Sequence, residues 1–123
     1  MANKVLVVDD EPGILLMVRS RLVKAGYQVE EAKDGQEALK KTREWSPDLV
    51  IMDVMMPPPN GFQACRILKD DSATRAIPIV LLTAKSTESD QFWGQESGAD
   101  AYLTKPYDPQ ELLATVARLI QKD

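Results

Sequence analysis

Three apolar runs in this chain break off at acidic or hydroxyl side chains. Val5-Leu6-Val7-Val8 ends at Asp9-Asp10, Leu49-Val50-Ile51-Met52 at Asp53, and Ile79-Val80-Leu81-Leu82 at Thr83. A fourth run, Ala101-Tyr102-Leu103-Thr104, ends at Lys105. Short runs that are apolar at every position suit strands buried on both faces, as in parallel sheets covered by helices. In such a sheet the carboxyl ends of neighbouring strands share an edge, and ligands bind in the crevice outside it. The pattern therefore gathers three carboxylates, a hydroxyl and an ammonium in one place.

Crowded carboxylates raise one another's pKa and repel, so they stay ionised only where a cation joins them. A hard divalent ion with oxygen ligands is the natural partner, and magnesium is the one expected. A single Asp after a strand is an ordinary turn former or helix N-cap. Four strand ends agreeing in this way point to a site instead.

Helical patterns fill the intervals. Pro12 suits a first helical turn, and Leu15, Val18, Leu22 and Ala25 recur at helical spacing until Gly26. Residues 27–32 read as a short second strand. Asp34-Gly35 caps a second helix marked by Ala38, Leu39 and Thr42, which must finish before Pro47. The loop Met56-Pro57-Pro58-Pro59-Asn60-Gly61 leads into a third helix with Phe62, Cys65, Ile67 and Leu68 on or near its buried side. A fourth helix is expected over roughly 88–97, closed by Gly98. Asp108-Pro109 starts the fifth, with Leu112, Leu113, Val116, Leu119 and Ile120 as its apolar stripe. Five βα units in 123 residues predict an α/β fold, a doubly wound five-stranded parallel sheet with helices on both faces. One domain is expected over 1–123, with no linker and no length left for an output domain.

Composition narrows the chemistry. A chain of 123 residues buries a core without staples, and Cys65, the sole cysteine, allows neither an intramolecular disulfide nor a multi-cysteine zinc site. Its place in a helical pattern reads as packing. There is no histidine, which removes histidine-based hydrolase triads, the usual zinc enzymes and phosphohistidine chemistry on this chain. A net charge of -4 argues against nonspecific nucleic-acid binding. No run approaches the roughly 20 apolar residues that span a bilayer, and Met1-Ala2-Asn3-Lys4-Val5 enters a strand directly, so no signal peptide or membrane insertion is expected. A cytoplasmic protein is the expectation.

Asp9-Asp10, then Asp53-Val54-Met55-Met56-Pro57 with Gly61, then Thr83-Ala84, then Lys105-Pro106 together resemble the receiver domain of two-component response regulators, in the stand-alone form of chemotaxis regulators. The resemblance covers essentially the full length and implies the flavodoxin-like (βα)5 fold with strand order 2-1-3-4-5. It implies Asp53 as phosphoacceptor from a partner histidine kinase. Asp10 and Asp53 would supply oxygens to Mg2+, Asp9 would act through a bound water, and Met55 through its carbonyl. Thr83 and Lys105 would hold the phosphoryl oxygens, with the Lys105–Pro106 bond cis. Tyr102 would be a switch aromatic delivering the change to a protein target on the face of the fourth helix, fifth strand and fifth helix. Phe92 and Trp93 lie adjacent in that fourth helix, about 100° apart, so both cannot point straight into the core. The resemblance implies a monomer or weak dimer. Asn60-Gly61-Phe62-Gln63-Ala64 and Phe92-Trp93-Gly94 look most like regulators of type IV pilus twitching motility and related taxis systems.

Other readings fit less well. A haloacid dehalogenase phosphatase has a second Asp two residues after its nucleophile, and that position is Met55. A flavodoxin-like FMN carrier needs a phosphate-binding loop after the first strand, where Asp9-Asp10-Glu11 would repel the phosphate. A pseudo-receiver scaffold usually lacks an acidic, hydroxyl or lysine position, and all are present. Three prolines in the loop at 57–59 depart from the more flexible family pattern and stiffen the backbone beside Asp53.

Overall fold

The computed structural model describes residues 3–83, 96–105 and 107–120. Five strands, β1 (Lys4–Val8), β2 (Gln28–Ala32), β3 (Leu49–Asp53), β4 (Ile79–Thr83) and β5 (Ala101–Thr104), form one parallel sheet in the order β2-β1-β3-β4-β5. The described helices are α1 (Pro12–Lys24), α2 (Gly35–Trp45), α3 (Gly61–Asp70) and α4 (Pro109–Ile120). The last of these is the fifth helix of the sequence reading. Its expected fourth helix, with Phe92 and Trp93, lies outside the described residues, as does Pro106. Gly98, expected to close that helix, has φ 81°, a conformation suited to glycine.

Alternation along the strands divides the core in two. Val5, Val7, Leu49, Ile51, Val80 and Leu82 face one side and bury Leu15, Val18 and Leu22 of α1 with Leu112, Val116 and Leu119 of α4. Leu6, Val8, Val50, Met52, Ile79 and Leu81 face the other, against Ala38 of α2 and Ala64, Cys65 and Leu68 of α3. β3 and β4 are buried along their whole length, while β5, at the sheet edge, is half-buried throughout.

Local chemistry sets the helix ends. Pro12 is the first residue of α1, and Asp34 caps α2 by accepting from the Glu37 N–H at 2.8 Å. Asn60 and Gln63 form a reciprocal capping box on α3. Two apolar expectations fail. Ala25 is the exposed C-cap of α1 rather than part of its stripe, and Ile67 is 40% exposed because the buried face of α3 runs through Ala64, Cys65 and Leu68. Ser46 ends α2 in the left-handed region at φ 52°, just before Pro47.

Candidate functional site

The ladders continue one residue past the strands, and this places the polar side chains at the carboxyl edge. The Asp9 N–H donates to the Ala32 carbonyl at 3.1 Å, Val54 to Leu82 at 3.0 Å, and Lys105 to Thr83 at 2.6 Å. Asp9, Asp53 and Thr83 are buried there, whereas Asp10 is exposed. One oxygen from each of Asp9, Asp10 and Asp53 lies within 4.8 Å of the others. Lys105 reaches across from the end of β5 and donates from Nζ to Asp53 Oδ1 at 3.0 Å. Thr83 ends β4 beside Asp53 and pairs in register with Thr104.

The loop after β3 is held close to this edge. Met56 and Gly61 both donate their N–H groups to the Val54 carbonyl, at 3.0 and 3.2 Å. A Cβ on Gly61 would stand 2.6 Å from the Asp53 carbonyl oxygen and 2.7 Å from Val54 Cα, so only glycine allows so close an approach. Gly35 of α2 abuts Pro59 in the same way, which braces the proline loop from outside. Met55 is 67% exposed.

Asp9 is under electrostatic stress. Burial pushes its carboxyl up to about 6; the Glu11 N–H, donating to Oδ1 at 2.9 Å, and Lys105 lower it, while Asp53 and Asp10 raise it. Burial therefore outweighs the crowding that the sequence reading put first. At Lys105 burial pulls downward, but the hydrogen bond and charge of Asp53, with the charge of Asp9, raise it above its ordinary value. Asp9 Oδ2 is buried without a hydrogen-bond partner. An all-oxygen donor set with an orphaned carboxylate oxygen fits a hard divalent cation.

Sequence reasoning missed Tyr107, two residues beyond Lys105, whose hydroxyl is buried and subject to the charges of Lys105, Asp9 and Asp53. The only signal was its place after Lys105-Pro106. The acidic residues, Thr83 and Lys105 are brought to one edge as expected, and Tyr102 is half-buried against the α2/α3 side of the core. Phe92, Trp93 and the Lys105–Pro106 bond fall outside the described residues.

The fold is thus a doubly wound parallel α/β module with carboxylates, a hydroxyl and a lysine gathered at its carboxyl edge. The family model for the response regulator receiver domain matches residues 5–117, and the chain belongs to that family of two-component signalling modules. Protein PilH of Pseudomonas aeruginosa is 43% identical over 113 residues, covering 92% of this chain and 93% of its own. The chemotaxis response regulator CheY4 of Vibrio cholerae superposes with a TM-score of 0.89 at 39% identity, over 97% of this chain and 99% of that one. The receiver domain of a P. aeruginosa sensor histidine kinase, with a magnesium ion coordinated in its active-site cleft, has a TM-score of 0.90 at 28% identity, covering 98% of each chain. The chain spans about half the length of other curated relatives it matches, transcriptional regulators of 50% and 53% coverage. Among the described residues, no helix is long and apolar enough to cross a membrane.

Proposed function

We propose that the chain accepts a phosphoryl group on Asp53 from a phosphohistidine of a partner kinase, and that this changes a protein-binding face. The observation that carries this reading is the Lys105–Asp53 contact at 3.0 Å inside a cluster of three carboxylates at the strand ends. Asp53 Oδ attacks phosphorus, the P–N bond breaks, and the imidazole nitrogen keeps the electron pair and takes up a proton. Lys105 offsets charge on the phosphoryl oxygens and Thr83 donates a hydrogen bond to one of them. Asp10, Asp53 and the Met55 carbonyl would hold Mg2+, with Asp9 acting through a water. When bound, the ion neutralises charge on the incoming phosphoryl group.

The geometry of the output follows from the same edge. A phosphoryl group on Asp53 that accepts a hydrogen bond from Thr83 would draw the end of β4 inward and free space for Tyr102, half-buried on the neighbouring strand. The output face would then be formed by β5 and α4. Similarity to PilH and to a chemotaxis regulator supports a place in motility or taxis signalling in the cytoplasm. It does not support DNA binding by this domain, whose net charge is -4.

Incubation with acetyl phosphate and Mg2+, read by intact mass, tests the chemistry. A single adduct of about 80 Da, the mass of one phosphoryl group, is expected on the parent and absent in Asp53→Asn or without divalent ion. An adduct that persists in Asp53→Asn would place the acceptor elsewhere.

A further inference from the structure

β5 is four residues long, lies at an edge of the sheet and is half-buried at every position, so burial does not mark either face as the inside. Such a strand specifies its own register weakly, and a slip of one residue moves its end by about 3.3 Å. Yet β5 runs directly into Lys105, whose Nζ lies 3.0 Å from Asp53 Oδ1, a contact that such a slip would break.

The register sets Val80 opposite Ala101 and Thr83 opposite Thr104. Asp100, the residue before β5, holds Ile79, the first residue of β4, in two ways. Its N–H donates to the Ile79 carbonyl at 2.9 Å, and its Oδ2 accepts from the Ile79 N–H at 2.8 Å. The same Oδ2 accepts from Lys69 Nζ, in the last turn of α3, at 2.7 Å. Lys69 Nζ also donates to the carbonyls of Ile77 and Arg75, at 2.8 and 3.1 Å, so all three ammonium hydrogens are engaged. Its side chain is only 15% exposed, and a Cβ on Gly98 would stand 3.3 Å from its Cγ. Two further contacts seat the approach to β5 on α3: Arg66 Nη1 donates to the Glu96 carbonyl at 2.6 Å, and Cys65 Sγ to the Ser97 carbonyl at 3.4 Å. As a surface ion pair Lys69–Asp100 would contribute little. As a link joining α3, the start of β4 and the start of β5, it fixes where β5 begins.

We propose that Asp100, held by Lys69, is a positioning residue: it pins β5 in register with β4 from the amino end and so sets Lys105 against Asp53 at the other. This rests on the reading of Lys105 as the cation that offsets phosphoryl charge. Asp100 and Lys69 lie at the opposite edge of the sheet and act only through the strand.

A double-mutant cycle in the rate of Asp53 phosphorylation, followed by intact mass with saturating acetyl phosphate and Mg2+, tests this. Misplacing a reacting group by about 1 Å can cost on the order of 100-fold, and Asp100→Ala, which leaves the backbone ladder in place, should slow the parent roughly three- to tenfold. In the Lys105→Ala background the same substitution should change the rate by less than about twofold, because the group it positions is gone. Asp100→Asn keeps an oxygen for the Ile79 N–H and should restore most of the rate. Equal slowing in both backgrounds would overturn the proposal, since Asp100 would then act on the fold at large. An unchanged rate in Asp100→Ala would overturn it while leaving Lys105 in its role. If Lys105→Ala alone is phosphorylated as fast as the parent, the underlying reading falls and the proposal with it. Should Asp100→Ala fail to fold by circular dichroism, Lys69→Met enters the same cycle with the same outcomes.

Discussion

Asp9 is a buried carboxylate whose environment makes folding pH-dependent. Its pKa is about 6 in the folded chain and 3.8 as the ordinary value, so the folded state holds its proton more tightly than the unfolded state between those limits. The folding penalty from Asp9 is therefore absent below about pH 4, grows through the window, and is complete above about pH 6. At roughly 1.4 kcal/mol per pKa unit this amounts to something on the order of 2 kcal/mol. Urea denaturation in chelator should find Asp9→Asn more stable than the parent by that order at pH 7.5, with the advantage shrinking toward pH 4. Asp10→Asn removes an exposed charge and should change stability by no more than about 0.5 kcal/mol. A larger gain at Asp10 than at Asp9 would restore crowding as the main source of strain. The sequence located both residues; only burial separated them, because adjacent side chains leaving a strand point in different directions.

At the scale of elements, the loop between β3 and α3 depends on Gly61 and on the capping box behind it. Gly61→Ala brings a Cβ against backbone atoms at 2.6 and 2.7 Å, neither of which can swing aside as a flexible side chain can. A loss of about 1–3 kcal/mol is expected, measured as a lower denaturant midpoint, together with slower phosphorylation of Asp53 as the loop shifts. Asn60→Ala should cost about 1 kcal/mol through the cap alone. Strand positions and most helix starts were legible because apolar runs, prolines and Asx residues act locally. The exposure of Ile67 was not, since a helix with apolar residues at 62, 65, 67 and 68 does not say which edge of its stripe the sheet will cover. The left-handed Ser46 was equally hidden, as serine carries no strong preference for that conformation.

Across the whole molecule, cation binding and output should be separable from the core. Mg2+ at about 100 times its dissociation constant should stabilise the native state by about 2.7 kcal/mol, seen as a higher melting temperature that Asp53→Asn reduces. Tyr102→Ala should leave the Asp53 adduct intact while weakening capture of the downstream partner, which pull-down of the phosphorylated chain would measure. Loss of the adduct in Tyr102→Ala would mean that the residue supports the site and not the output. The order of apolar runs and the residues that end them determined the parallel sheet, its two covered faces and the membership of the acidic edge, because strand periodicity and crossover handedness are local and chiral constraints. Tertiary structure alone decided that Asp9 is buried while Asp10 is not, that Lys105 bonds Asp53, and that the Tyr107 hydroxyl is enclosed. Desolvation and hydrogen-bond distance depend on atoms from strands far apart in the chain, and no local pattern encodes them.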